Sequence, residues 1–121
     1  MAERRMFAKL IVNSDEFLDL PISSQVLYFH LVMQADDDGM INNARRIILM
    51  MGLDQKDLQL LIDNRFLISF DSGILAVRHW KQQNRIRSDR YKPTVYQEEF
   101  SQLVLLKDRT YALVIPDGNQ M

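Results

Sequence analysis

The amino-acid sequence predicts an α+β domain that is mainly helical. Two observations carry that reading. Apolar residues recur at helical spacing in three stretches between residues 23 and 64, and two runs alternating at period two follow at 66–70 and 74–79. Three of the four glycines fall at the joins between these patterns and the fourth in the terminal tail. A length of 121 residues, 47% hydrophobic and 26% charged, suits a single buried core.

The elements follow in order. Ser14 or Asn13 can cap a short helix that opens on Asp15 and Glu16, acids suited to the positive end of a helix, and stops at Leu20-Pro21. Ser23 and Ser24 read as caps of the next helix, in which Leu27, Tyr28, Leu31, Val32 and Ala35 form a broad apolar face. Val26, Phe29 and Met33 make its other side apolar too, which places this helix at the centre of the domain or in an oligomer interface. After the acidic run Asp36-Asp37-Asp38 and Gly39, Met40-Ile41 can form a short strand. Asn42 or Asn43 then caps a helix with Ala44, Ile47, Ile48 and Met51 at i, i+3, i+4 and i+7, ended by Gly52. Asp54 with Asp57 three residues on opens a third helix in capping-box fashion; Leu58, Leu61 and Ile62 line its inner face, and it runs to about Asn64. The period-two runs around Asp71-Ser72-Gly73 make a β-hairpin whose glycine takes the left-handed position.

Helix, short strand, helix, glycine turn, helix and hairpin is the order of a winged helix, a helix-turn-helix with a two-stranded wing. That unit, with a basic extension, is expected over residues 1–99. Beyond it, residues 96–107 read as a helix and 109–115 as a strand, so residues 100–121 are expected to form a terminal helix and strand or the start of a linker.

The stretches SDEFLDLPISSQVLYFHLVMQADDDGMINN, NRFLISFDSGILAVRHWKQQNRI and RSDRYKPTVYQEE resemble the N-terminal domain of phage and prophage replisome organisers, the DnaD-like replication proteins. The resemblance covers roughly residues 4–99. Its most specific part is a tryptophan after a strand followed by an N-x-I-x-x-D-R-Y-x-P-T-x-Y run, here Asn84 to Tyr96. Ala44 departs from an expected proline and Gln83 from a common histidine. The resemblance implies an initiation module of a bacterial host's cytoplasm that binds origin DNA, associates with itself, and helps recruit the helicase loader and other initiator proteins. It also implies a second, C-terminal DNA-binding domain, for which this chain is too short.

Charge and chemistry narrow the choices further. Fifteen bases against sixteen acids leave a net charge of -1, which argues against coating nucleic acid by bulk charge, so binding requires a local patch. Residues 78–92 supply one. Arg78, Lys81, Arg85, Arg87, Arg90 and Lys92 stand against Asp89 alone, with Trp80, Tyr91 and Tyr96 interleaved as stacking faces. Arg45 and Arg46 form a second cluster, and Arg4, Arg5 and Lys9 a third. The helix from Asp54 carries Asp54, Asp57 and Asp63 against Lys56 and Arg65, so only Gln55, Lys56, Gln59 and Asn64 are candidates to read base edges. The aspartate run does not fit a calcium loop, which would need an acid near Gln34 and a glutamate near Arg45. His30 and His79 have no ligand-spaced neighbours, cysteine is absent, and no glycine-rich phosphate loop occurs. No catalytic residue, metal or cofactor is therefore expected. The chain also lacks an apolar run long enough to span a bilayer, and its start lacks a signal-peptide profile, which points to an intracellular protein.

Three functions compete. The leading one is a replication-initiation module joining DNA binding to self-association. The second is an oligomerisation and partner-docking domain without DNA binding, using Val26, Phe29 and Met33 or a strand at 109–115. The third is a winged-helix transcriptional regulator reading an operator through Gln55, Gln59 and Asn64.

Overall fold

The computed structural model describes residues 4–114. They form a small α+β domain in which short helices surround a three-stranded antiparallel sheet and a separate two-stranded hairpin. Helices α1 (Lys9–Val12) and α2 (Asp15–Leu18) open the chain. The Ser14 hydroxyl accepts from the Phe17 amide at 3.2 Å, which starts α2 where the sequence places it and sends Phe17 into the core. Pro21 then begins α3 (Ile22–Gln34). Leu27, Tyr28, Leu31 and Val32 are wholly buried on one side of α3, as its spacing predicts.

Strand β1 (Met40–Ile41) leads to α4 (Ala44–Met51) and, after Gly52, to α5 (Gln55–Asp63). Asn43 occupies the start of α4 but does not cap it: its side chain bonds no helix amide, and its buried Oδ1 has no partner among the described residues. The start of α5 follows the predicted capping box. Asp54 accepts from the Lys56 amide at 2.9 Å while Asp57 accepts from the Asp54 amide at 3.1 Å. Asp57 also receives the Ser23 hydroxyl at 2.6 Å, and its carbonyl receives the Ser24 hydroxyl at 3.1 Å. The two serines therefore lie inside α3 and tie it to α5 rather than capping it.

Strands β2 (Leu67–Ser69) and β3 (Leu75–Val77) form the predicted hairpin, and β1 pairs with β3 to give the order β1-β3-β2. The central strand is buried at all three positions, which departs from simple alternation. Leu75 and Val77 join the main core with Phe17, Tyr28 and Phe66, whose rings meet edge-to-face at 5.2–5.8 Å. Ala76 faces the other way, with Met40, Phe70 and Ile74, under Tyr96, Phe100 and Leu103. The sheet is thus covered on both faces, the second by the C-terminal segment.

That segment corrects the predicted helix at 96–107. Only α7 (Gln97–Phe100) is helical, and β4 (Leu103–Leu105) follows and pairs with β5 (Tyr111–Leu113). The loop between them is built like the first hairpin's: the Arg109 amide donates to the Leu106 carbonyl at 2.9 Å, as Gly73 does to Phe70 at 3.0 Å. Arg109 holds φ +69° where the first loop has Gly73 at +91°. An arginine in the left-handed position carries no turn signal, so the hairpin reads as continuous helix from sequence. The predicted strand at 109–115 is present as β5; its last position, Ile115, lies outside the described residues. Residues 100–114 dock on the rest of the domain through Tyr111, whose amide donates to the Arg78 carbonyl at 2.9 Å.

Candidate nucleic-acid interface

The basic segment is shaped by the acidic run. Asp37 and Asp38 are almost completely buried, and most of their carboxylate partners come from residues 91–94. The Lys92 amide donates to Asp37 Oδ2 at 3.0 Å, the Tyr91 hydroxyl to Asp38 at 2.7 Å, and the Thr94 amide to Asp38 Oδ2 at 2.9 Å. The Thr94 hydroxyl donates to Asp36 Oδ2, while Asp36 Oδ1 takes the Asp38 and Met40 amides at 3.0 Å. Three carboxylates thus fold their own turn and clamp the Tyr-x-Pro-Thr part of the motif. Burial, the bond to Asp38 and the neighbouring carboxylates push the Tyr91 hydroxyl up to about 12.

The other face of the same turn holds the tryptophan. Trp80 begins α6 (Trp80–Gln83), is 1% exposed, and donates its indole N–H to the Asp37 carbonyl at 2.9 Å. Arg5 lies over the ring, 5.3 Å from its centroid, and donates to the Ala35 carbonyl at 2.7 Å and to Asp37 at 3.5 Å. Gly39 passes so close beneath that a methyl group there would stand 2.6 Å from Trp80 Cγ. Tyr111 closes the cluster with its hydroxyl on the Asp38 carbonyl at 2.8 Å.

These contacts revise the aromatic part of the predicted patch. Trp80 is unavailable for base stacking; Tyr91 keeps an exposed ring with its hydroxyl bound to Asp38, and the Tyr96 hydroxyl accepts the Asn42 amide group. Arg5 likewise leaves the predicted third cluster for the core. The predicted cations also separate. Arg78 is half-buried at the β2 side of the sheet, with Nη1 3.4 Å from the Arg65 carbonyl. Lys92 borders a depression with Met40 and Asn42 at the opposite, β1 side. Lys81 is half-buried on α6. Arg85, Arg87, Arg90 and Lys92 are each exposed along residues 85–92, where Arg87 pairs with Asp89 at 3.3 Å and the side chains of the other three make no ion pair among the described residues. Both ends of that stretch are fixed. Asn84 exchanges bonds with the Met6 backbone at 2.7 and 3.3 Å, and Tyr91 to Thr94 sit on the aspartates.

Arg45 and Arg46 are exposed on the first turn of α4. Arg45 borders a groove of about 500 Å³ between α5 and the tip of the β2–β3 hairpin, together with Asn42, Gln55, Gln59 and Ser72. Of the proposed base readers, Gln59 is bonded to Asp63 at 2.8 Å and Asn64 to the Leu60 carbonyl at 2.8 Å. Val26 and Met33 lie exposed on α3 with Ile22, whereas Phe29 is partly buried between Phe7 and Phe17, at ring distances of 5.0 and 5.6 Å. His79 packs on Phe66 at 5.8 Å with an unpartnered, buried Nδ1; burial and then Arg78 lower its imidazole to about 4. Among the described residues no helix is long and apolar enough to cross a membrane.

Nothing in the spacing of residues signals the aspartate clamp, because its pairs lie 53–58 residues apart. Comparison with family models, with curated proteins and with solved structures returned no match.

Proposed function

We propose that the chain is a winged-helix module of DNA replication initiation that contacts DNA through phosphates and associates with itself. The element order and the β1-β3-β2 sheet support the winged-helix reading. One observation carries the DNA reading: residues 85–92 form a largely exposed cationic stretch pinned at both ends, in which the side chains of Arg85, Arg90 and Lys92 make no ion pair among the described residues. Side chains on such a fixed strip are positioned for phosphate oxygens without reading sequence. The internally bonded Gln59 and Asn64 weigh against the operator-reading regulator. Self-association and contact with a helicase loader draw on the apolar side of α3, where Ile22, Val26 and Met33 are exposed. The same apolar side favours a second reading, a docking domain that binds no DNA.

The experiment is a salt titration of binding to random duplex and single strands. In the Arg85→Ala, Arg90→Ala, Lys92→Ala variant, affinity falls for every sequence alike, and on duplex the log–log salt slope flattens by about 0.9 for each phosphate no longer neutralised. An unchanged slope removes the strip as a DNA site and leaves the docking reading.

A further inference from the structure

We propose that the slot between β2 and β5 takes an extended, acidic peptide segment of another protein, which adds a strand joining the two sheets. The slot is an open groove of about 430 Å³ with Ile62, Leu67 and Leu113 in its walls and Arg65 and Arg78 beside them. Among the described residues, its walls present unpaired backbone. In an antiparallel ladder, residues that bond across the pair alternate with residues whose peptide groups point away. Arg78 donates to the Phe66 carbonyl at 3.2 Å and Phe70 to the Ile74 carbonyl at 3.0 Å, with Ile68 opposite Ala76 between them. Leu67 and Ser69 therefore turn their N–H and C=O groups outward, and β2 is an edge of its sheet.

The same alternation applies to β5. Leu106 donates to Thr110 at 2.9 Å and Val114 to Gln102 at 2.7 Å, so Tyr111 and Leu113 face away from β4. Tyr111 uses its outward amide on Arg78, and Leu113, two residues on, directs its own toward the slot. Edge groups on both walls, about two residues apart on β2, match the repeat of an inserted strand.

Charge selects the occupant. Two guanidinium-bearing residues and no acid line the slot, which favours a carboxylate on the incoming segment. Asp108, the acid whose carboxyl Arg78 helps to lower, is already bound by the Thr110 hydroxyl and amide. A second copy is the poorer fit, because its β2 is already paired with its own β3 along one edge and could bond only one wall of the slot.

The test uses the full chain, isotope-labelled, and two acetylated, amidated heptapeptides: one alternating valine with glutamate, one alternating valine with lysine. The acidic peptide slows hydrogen exchange at the Leu67, Ser69 and Leu113 amides and the lysine peptide does not. Arg65→Gly is the decisive variant. Arg65 holds a left-handed φ of +68°, so glycine keeps the backbone while deleting the guanidinium. It weakens the acidic peptide about tenfold with folding retained. Equal response to both peptides, no response, or unchanged affinity in Arg65→Gly overturns the proposal. Protection of these amides without peptide, in a particle of twice 14.3 kDa, overturns it in favour of a second copy.

Discussion

Replacing Gly39 by alanine tests the packing on which the acidic turn depends. Two costs are separable there. Gly39 holds φ +86°, where an L side chain costs about 1–2 kcal/mol. The added methyl would also stand 2.6 Å from Trp80 Cγ and 2.9 Å from its Cβ and Cδ2. Trp80 has little room to yield, since its indole N–H is bonded to the Asp37 carbonyl and Arg5 covers its ring. Overpacking of this kind costs about 1–3 kcal/mol, for a total of about 2–5 kcal/mol against a stability of about 5–15 kcal/mol. Gly73→Ala is the internal control: φ is +91° but nothing lies within 4 Å, so only the backbone cost applies. Urea unfolding of both variants gives the difference, expected at about 1–3 kcal/mol with an unchanged m-value. Equal losses in the two variants would refute the seating of Trp80 on Gly39, and with it the account of how the aspartate turn is held.

Further perturbations probe the same cluster. Arg5→Met strands the buried Asp37 carboxylate and is expected to cost about 3–5 kcal/mol, with partial recovery in the Arg5→Met, Asp37→Asn double variant; additive losses in a denaturation cycle would exclude the coupling. His79 has a folded value near 4 against about 6.5 when unfolded, so the unfolded chain binds its proton first. Its contribution is present above about pH 6.5 and lost as pH falls toward 4, amounting to about 3 kcal/mol at most; His79→Gln flattens that part of the stability profile. Tyr28 and Tyr91 are raised to about 12, which stabilises the fold below pH 10 and is lost as pH climbs to 12. Native-state tyrosinate absorbance rising in full near pH 10 would contradict both.

What the sequence disclosed depended on the range of the forces involved. The capping box of Asp54 and Asp57, the face of α3 and the Gly73 hairpin are local, so spacing and residue type display them. The β4–β5 hairpin is equally local but was hidden, because Arg109 occupies the position that glycine advertises. The burial of β3 on both faces was hidden for another reason. Its second cover, Tyr96 with Phe100 and Leu103, comes from a segment whose own pattern is weak. The basic patch was half legible: the cations of residues 85–92 were visible in the composition, but that Trp80 serves the core and the Tyr91 hydroxyl serves Asp38 was set by partners more than forty positions away.

That last point changes what a mixed basic and aromatic run means in this chain. Trp80, Tyr91 and Thr94 spend their polar groups on Asp37, Asp38 and Asp36, and Tyr96 meets Asn42 at the surface, which anchors the ends of the segment between them. Arg85, Arg90 and Lys92 are exposed to solvent on that anchored segment. In the proposed DNA contact this anchoring would act indirectly, by reducing the freedom the cation-bearing stretch must lose on binding, while the exposed Tyr91 ring stays open to stacking. If so, Tyr91→Phe, which leaves every charge in place but removes the hydroxyl bond to Asp38 from the clamp, weakens DNA binding with the salt slope unchanged, whereas removing the cations lowers the slope itself. A Tyr91→Phe chain that binds DNA as tightly as the parent would show that the clamp serves folding alone.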